Sequence, residues 1–104
     1  PVPGVRTPPD GVEVRMAVVR GHFQPDVVKV AAGSNVTWRI TNVERAKNAM
    51  HGFALPGYNI SVSSEPGSEQ VVRFVADKPG VYPFYCTDFC SALHLEIMGY
   101  FLVS

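Results

Sequence analysis

Apolar and polar residues alternate along most of this chain, and short turn sequences interrupt the alternation repeatedly. Between positions 12 and 18, valine or methionine occupies every second place, with Glu13 and Arg15 among the intervening residues. A period of two places successive side chains on opposite faces of a β-strand. Such signals predict strands over residues 12–18, 27–30, 36–41, 52–55, 58–63, 71–75, 81–85 and 99–103. Seven or eight short strands without a long helical pattern predict an all-β sandwich or barrel.

The length of the chain limits this sandwich to a single domain. Its 104 residues, 46% of them hydrophobic, are enough for one packed core. Four prolines and two glycines within residues 1–11 predict an extended arm or linker. We therefore divide the chain into a proline-rich arm over residues 1–11 and a folded domain over residues 12–104.

The charge balance argues against several classes of partner. Nine Lys and Arg residues balance nine Asp and Glu residues, whereas nucleic-acid-binding domains carry a basic face and polybasic membrane anchors carry a basic cluster. No apolar run approaches the roughly 20 residues of a membrane-spanning helix. The first residues also lack the basic-then-apolar pattern of a signal peptide. We expect no nucleic-acid partner, no membrane segment, and a mature or excised soluble domain.

Two cysteines, a histidine and a methionine lie close together near the end of the sequence. Three residues separate each neighbouring pair in the series Cys86, Cys90, His94 and Met98. Thiolate, imidazole and thioether are soft ligands that select copper, zinc or iron–sulfur chemistry. Since functional residues often lie on end loops of a rigid β-scaffold, we predict a metal site between the last two strands. His51, at an element boundary, is the best candidate for a ligand from elsewhere.

The spacing favours copper among these metals. The Cys-x3-Cys pair is wider than the Cys-x2-Cys of most structural zinc sites, and no second pair completes a zinc tetrahedron. Iron–sulfur clusters usually take four cysteines, or two cysteines and two histidines in another pattern. Cysteine, histidine and a weak thioether on one loop, with a distant histidine, are typical of copper electron-transfer sites. A disulfide between Cys86 and Cys90 in a domain without metal stays open as an alternative.

Three segments resemble the binuclear copper (CuA) domain of nitrous oxide reductase and, more distantly, that of cytochrome c oxidase subunit II. They are His51-Gly52-Phe53, the sequence FVADKPG at residues 74–80, and the sequence YCTDFCSALH at residues 85–94. The resemblance covers nearly all of the chain beyond the arm. It implies a cupredoxin-like Greek-key β-sandwich or barrel that holds two copper ions.

The same resemblance implies a role for each candidate ligand. Cys86 and Cys90 would bridge the two copper ions, and His51 and His94 would be the terminal histidine ligands. Asp88, midway between the cysteines, would contribute its backbone carbonyl.

The sequence departs from the family at the methionine ligand. The family places this residue three positions after the second histidine, where this chain has Ile97, and Met98 follows one position later. Isoleucine cannot ligate copper. The site therefore has an altered or absent axial ligand, or Met98 reaches copper through a local backbone change, or the site binds one copper or none. Because a period of two sends residues 97 and 98 to opposite faces, Met98 would need the loop to deform. We favour a CuA site with a perturbed axial position.

The function that the resemblance implies is one-electron transfer in an oxidoreductase. The donor would be a small redox protein, a cytochrome c or a cupredoxin, and the acceptor a catalytic copper-cluster domain. The expected location is the periplasm or the outward face of a membrane, and the isolated chain is not expected to be catalytic. A mononuclear cupredoxin and a periplasmic copper-binding or carrier domain are the alternatives, since both use the same ligand types.

Overall fold

Two β-sheets lie face to face in the computed structural model, which describes residues 3–7, 11–19, 22–43, 51–65, 67–88 and 97–104. Sheet A contains β1 (Gly4–Arg6), β2 (Val12–Val19), β3 (His22–Gln24), β5 (Ser34–Asn42) and β8 (Glu69–Ala76). Sheet B contains β4 (Val27–Val30), β6 (His51–Leu55), β7 (Ile60–Ser64), β9 (Gly80–Asp88) and β10 (Ile97–Val103). A short 3₁₀ helix, Pro56–Tyr58, connects β6 to β7. The predicted all-β sandwich is confirmed.

Strands that are distant in sequence are neighbours in both sheets. In sheet A, β2 pairs in parallel with β5 and antiparallel with β1 and β3, while β8 pairs antiparallel with β5. In sheet B the order is β4-β10-β9-β6-β7, and only the β4–β10 pair is parallel. The central position of β9, between β10 and β6, places the strand that carries Cys86 next to both strands that carry other candidate ligands.

The described residues contain ten strands rather than seven or eight. Two of the additional strands have only three residues each, too few for a period of two to be recognised. One of them, Gly4–Arg6, lies within the predicted arm and pairs with residues 13–15 of β2. The arm is therefore a strand at its centre rather than a linker throughout, because the edge of β2 offers it backbone partners. Residues 43–50 form a polar, irregular segment for which the sequence predicts one helical turn. Beyond residue 43, this segment lies outside the described residues.

The core between the sheets is built around Trp38. The alternation of apolar residues over positions 36–41 predicts Trp38 as a core residue, and its side chain is fully buried on the inward face of β5. Its ring lies 5.1 Å from that of Phe53, 5.8 Å from that of Phe84 and 5.3 Å from that of Phe101, measured between centroids. Tilted and edge-on aromatic pairs at such separations add stability beyond the area that they bury. This cluster joins β5 of sheet A to three strands of sheet B, so it holds the sandwich together.

The outward face of sheet A carries a row of ion pairs. The carboxylate of Glu13 accepts from Arg15 at 2.7 Å and from Arg39 at 3.4 Å, and Arg39 also contacts Glu69 at 3.2 Å. The hydrogen bond from Arg15 holds the pKa of Glu13 below its usual 4.5. Such exposed pairs contribute little to stability, because water and salt screen them.

Candidate metal centre

Cys86 lies inside strand β9, two residues beyond the fully buried Phe84, and its side chain is only 1% exposed. The expectation that both cysteines belong to a loop is wrong for Cys86, because β9 continues to pair with β6 as far as Asp88. Directly opposite Cys86 in that ladder is Phe53, which is also buried. The backbone of this cysteine is therefore fixed by hydrogen-bonded strands.

The register between β6 and β9 pairs two of the predicted ligand positions. His51 is directly opposite Asp88, two steps along the ladder from the Phe53–Cys86 pair. Directly opposite residues in an antiparallel ladder have Cα atoms about 4.5–5.5 Å apart. For His51 and Asp88 the structure describes the backbone only. That backbone nevertheless brings the histidine position, 35 residues away in sequence, to the end of the strand that carries Cys86.

The pairing of β10 with β9 is irregular at Met98. Ile97 lies opposite Tyr85 and Gly99 lies opposite Phe84, so β10 carries one extra residue between two neighbouring positions of β9. This is a β-bulge, a feature that locally changes the direction of side chains. The expectation of strict alternation across residues 97 and 98 is therefore wrong. Met98 is partly buried and packs against the core cluster that includes Cys86.

The remaining predicted ligands, Cys90 and His94, lie outside the described residues. Cys86 is disulfide-bonded in the structure, and it is not a free thiol. Within the described part of the chain, no three His, Cys, Asp or Glu side chains form a metal-binding group. The structure thus places His51 and Asp88 near Cys86 on two paired strands and packs Met98 against the core cluster that contains Cys86, and the role of all six residues as metal ligands stays a prediction.

The donor types fit a soft metal, and the wall beside Cys86 suits a site that excludes water. Phe53 is 2% exposed and Phe84 is 0% exposed, and their ring centroids are 5.5 Å apart. Phe23 meets both rings edge-on, at 5.5 and 5.8 Å. A buried sulfur donor in an apolar, close-packed wall is held in one position, since packed interiors resist displacement. A thiolate, an imidazole and a thioether on such a frame match copper better than magnesium or calcium.

Two residues of this frame were missed from the sequence. Phe84 was included only in a predicted strand, although its ring forms part of the wall beside Cys86. Gly99 is buried at the bulge, where a side chain would overlap the backbone carbonyl of Asp26 and the ring of Phe84. A lone glycine inside an apolar strand pattern was the available signal, since such a glycine often marks a bulge or a close backbone approach.

The opposite end of β9 has a different polar arrangement. The hydroxyl groups of Tyr58 and Tyr82 each donate to the carbonyl of Lys78 at 2.8 Å, and the Lys78 N–H donates to the Tyr58 hydroxyl at 3.1 Å. The two rings meet edge-on at 4.9 Å. Burial raises the pKa of Tyr58 above its usual 10.0, although the backbone hydrogen bond from Lys78 opposes the shift.

Residues 7–98 match the family described as the cupredoxin-like domain, which covers most of the chain. The chain belongs to this family. The match includes β9, the bulge at Met98 and every predicted ligand position. Among the described residues, the cupredoxin-like domain has no helix long and apolar enough to cross a membrane.

This cupredoxin-like domain is related to longer redox proteins. A nitrous-oxide reductase from Cupriavidus necator is 48% identical over 69 residues, which are 66% of this chain and 11% of the reductase. Cytochrome c oxidase subunit 2 from Thermus thermophilus is 29% identical over 99 residues, covering 95% of this chain and 70% of the subunit. The chain therefore spans only a small part of the reductase that it matches.

A solved structure supports the same relationship. A chain of a heme-copper terminal oxidase dimer superposes with a TM-score of 0.76 at 25% identity, covering 99% of this chain and 71% of that chain. The predicted family and the predicted cupredoxin-like fold are both confirmed.

Proposed function

We propose that this cupredoxin-like domain transfers single electrons through a binuclear, thiolate-bridged copper centre of the CuA type. The observation that carries the proposal is the β6–β9 register, which pairs His51 with Asp88 beyond the buried Cys86. Histidine, cysteine and a backbone carbonyl are three of the ligand types of such a centre, and the positions that would supply them lie at one end of two paired strands. The similarity to nitrous-oxide reductase and oxidase subunit 2 supports the same assignment.

Each ligand has a distinct role in the proposed centre. Cys86 and Cys90 would hold copper through their thiolate sulfurs, and His51 and His94 would hold it through their imidazoles. Asp88 would contribute its backbone carbonyl from the end of β9. Met98 would offer its thioether as a weak ligand, because it packs against the core cluster that contains Cys86.

The role of the protein in electron transfer is to keep these ligands still. Copper held by these thiolates would supply one-electron redox chemistry without any bond to a substrate. Cys86 is held in β9 by its pairing with Phe53 of β6, and β10 pairs with β9 from the preceding residue, Tyr85, onward. Phe53 and Phe84 keep water from this side of the sulfur. A rigid and dry ligand frame needs little rearrangement when the charge of the site changes.

The relationship to longer redox proteins suggests the partners and the location. A small redox protein, a cytochrome c or another cupredoxin, would supply the electron, and a catalytic copper-cluster domain would receive it. The isolated domain would then carry electrons without reducing nitrous oxide itself. We place it in the periplasm or at the outward face of a membrane, where the related reductases and oxidase subunits would meet such donors.

The deciding experiment is a copper count on reconstituted protein, with an EPR spectrum of the same sample. Two copper ions per chain with a seven-line hyperfine pattern are expected, since one unpaired electron is then shared by two equivalent nuclei. One copper with a four-line pattern would instead identify a mononuclear cupredoxin. Readily exchangeable Cu(I) without a stable redox midpoint would identify a carrier. A chain that binds no copper after reduction of the Cys86 disulfide would leave a β-sandwich without a metal function.

The Cys90→Ser variant tests the bridge separately. If both thiolates bridge, loss of one abolishes the binuclear spectrum, because the remaining sulfur cannot equalise the two copper ions. An unchanged chromophore in this variant would refute the bridging assignment. The Tyr82→Phe variant is the matched control, since it changes one polar atom of the same strand far from the proposed centre.

A further inference from the structure

We propose that Gly99 is a positioning residue for this centre: its close packing maintains the β-bulge that directs Met98 to the side of the core where Cys86 lies. The role of Met98 toward copper depends on the function proposed above. The effect of Gly99 on Met98 does not depend on it, and metal-free protein is sufficient to test that effect.

The first step is the extra residue. Met98 is inserted between Ile97, which pairs with Tyr85, and Gly99, which pairs with Phe84. A regular strand would alternate residues 97 and 98 between opposite faces. A bulge changes this relation and re-aims a side chain, often beside a functional site. Met98 is accordingly packed against the buried cluster rather than turned fully to solvent.

The second step is the reason that the bulge lies at this position. A Cβ atom on Gly99 would overlap the carbonyl oxygen of Asp26 on one side and the ring of Phe84 on the other. Only glycine therefore lets β10 lie between the end of the β3–β4 connection and the core. After Gly99, the strand resumes regular pairing with β9, from Tyr100 opposite Pro83 onward.

The third step is that neither neighbour of Gly99 can easily move away. The carbonyl of Asp26 accepts a hydrogen bond of 2.9 Å from the backbone N–H of Tyr100. The ring of Phe84 is fully buried and packs against the rings of Phe23, Phe53 and Trp38. A side chain at position 99 must consequently displace β10 itself, which changes the bulge and the position of Met98.

The test compares Gly99→Ala with Gly57→Ala in metal-free protein. Gly57 is the matched control because its added Cβ would overlap the ring of Tyr82, which lies opposite Phe101 in the regular part of the ladder rather than at the bulge. With methyl-labelled methionine, the chain gives three methyl signals, for its three methionines. We expect the Met98 methyl signal to shift in Gly99→Ala and to stay in place in Gly57→Ala. An unmoved Met98 signal in folded Gly99→Ala would overturn the proposal.

A measurement on the unaltered chain decides the matter if Gly99→Ala does not fold. Nuclear Overhauser contacts from the Met98 methyl group to Cys86 or to the Phe84 ring would support the proposal. Contacts only to residues on the outward face, such as Tyr100, would refute it, since the bulge would then not direct the side chain inward.

Copper binding gives the second readout in the folded variants. Supporting groups around metal ligands typically change metal affinity by roughly 10–100-fold, so we expect a loss of that size in Gly99→Ala and none in Gly57→Ala. Equal affinities in the two variants would mean that the bulge does not act on the centre. If the unaltered chain binds no copper, the proposed function fails, and the methyl signals still decide the role of Gly99.

Discussion

The two ends of strand β9 serve different purposes although both contain buried or half-buried polar groups. At its beginning, the tyrosine end, the hydroxyls of Tyr58 and Tyr82 bond to the backbone of Lys78. At its other end, the cysteine end, Cys86 lies two ladder positions from the His51–Asp88 pair, and Met98 packs against the core cluster that contains Cys86. The tyrosine hydroxyl groups bond to neutral backbone partners, whereas the cysteine end carries the residues that would supply donors to the proposed copper centre. Stability and proposed function are thus separated along one strand.

The packed rings between the two ends explain how they can be separated. Trp38 contacts Phe53 and Phe84 toward the cysteine end, while Phe101 contacts both Trp38 and Tyr58 toward the tyrosine end. All four of the non-tyrosine rings are at least 98% buried. Changes at one end should therefore reach the other only by disturbing this core, which makes the comparison open to test.

The largest effect is expected from Cys86→Ser. Loss of a bridging thiolate removes the binuclear copper spectrum completely, while burial of a hydroxyl without a partner costs about 1–3 kcal/mol of unfolding free energy. EPR with copper analysis measures the first effect, and denaturant titration the second. If two copper ions with the unchanged spectrum remained, the cysteine end would not be the metal centre.

The second-largest effect is expected from Gly57→Ala, a change at the tyrosine end. The added methyl group would overlap the ring of Tyr82, and such overpacking typically costs about 1–3 kcal/mol. Denaturant unfolding should show this loss, and copper stoichiometry should not change in the folded protein. Ser61→Ala, an exposed change on β7, is the control for substitution as such. A copper signal that changed with Gly57→Ala would break the separation of the two ends.

A smaller effect is expected from Met98→Leu, which keeps the volume and removes the thioether. Loss of an electron-donating axial ligand should raise the redox midpoint by something on the order of tens of millivolts, since axial ligands tune copper potentials. Protein-film voltammetry measures the midpoint. Ile97→Met is the complementary variant: a midpoint that moves there and not in Met98→Leu would assign the axial position to residue 97.

The smallest effect is expected from Tyr58→Phe and from alkaline pH. Removing the hydroxyl loses its contacts with Lys78 and should cost about 1 kcal/mol. The pKa of Tyr58 is raised in the folded state. The contribution of Tyr58 to the free energy of unfolding is therefore fully present below pH 10.0, and it decreases as the pH rises through the pKa of the folded state. Denaturant unfolding between pH 8 and pH 11 should show this loss, and Tyr58→Phe should reduce it. If the unfolding free energy of Tyr58→Phe depended on pH as strongly as that of the unaltered chain, Tyr58 would not be the source of the pH dependence.

Much of the fold was predictable because alternation is a local property of the sequence. The predicted strand at residues 27–30 coincides with β4, Val27–Val30, and the prediction of Trp38 as a core residue is confirmed. The three-residue strands β1 and β3 were missed because they form only where the edge of β2 offers partners. For the candidate site, the ligand types and their spacing came from the sequence, together with the departure at Ile97.

The sequence by itself determined the all-β class, the soft-donor motif and the membership in a copper-related family, since these depend on residue types and on short spacings. Only the tertiary structure decided that His51 pairs with Asp88 and that a bulge lies at Met98. Both are matters of register between strands that are distant in sequence. Register at the bulge is set by a contact that no local pattern contains: the fit of Gly99 between the Asp26 carbonyl and the Phe84 ring.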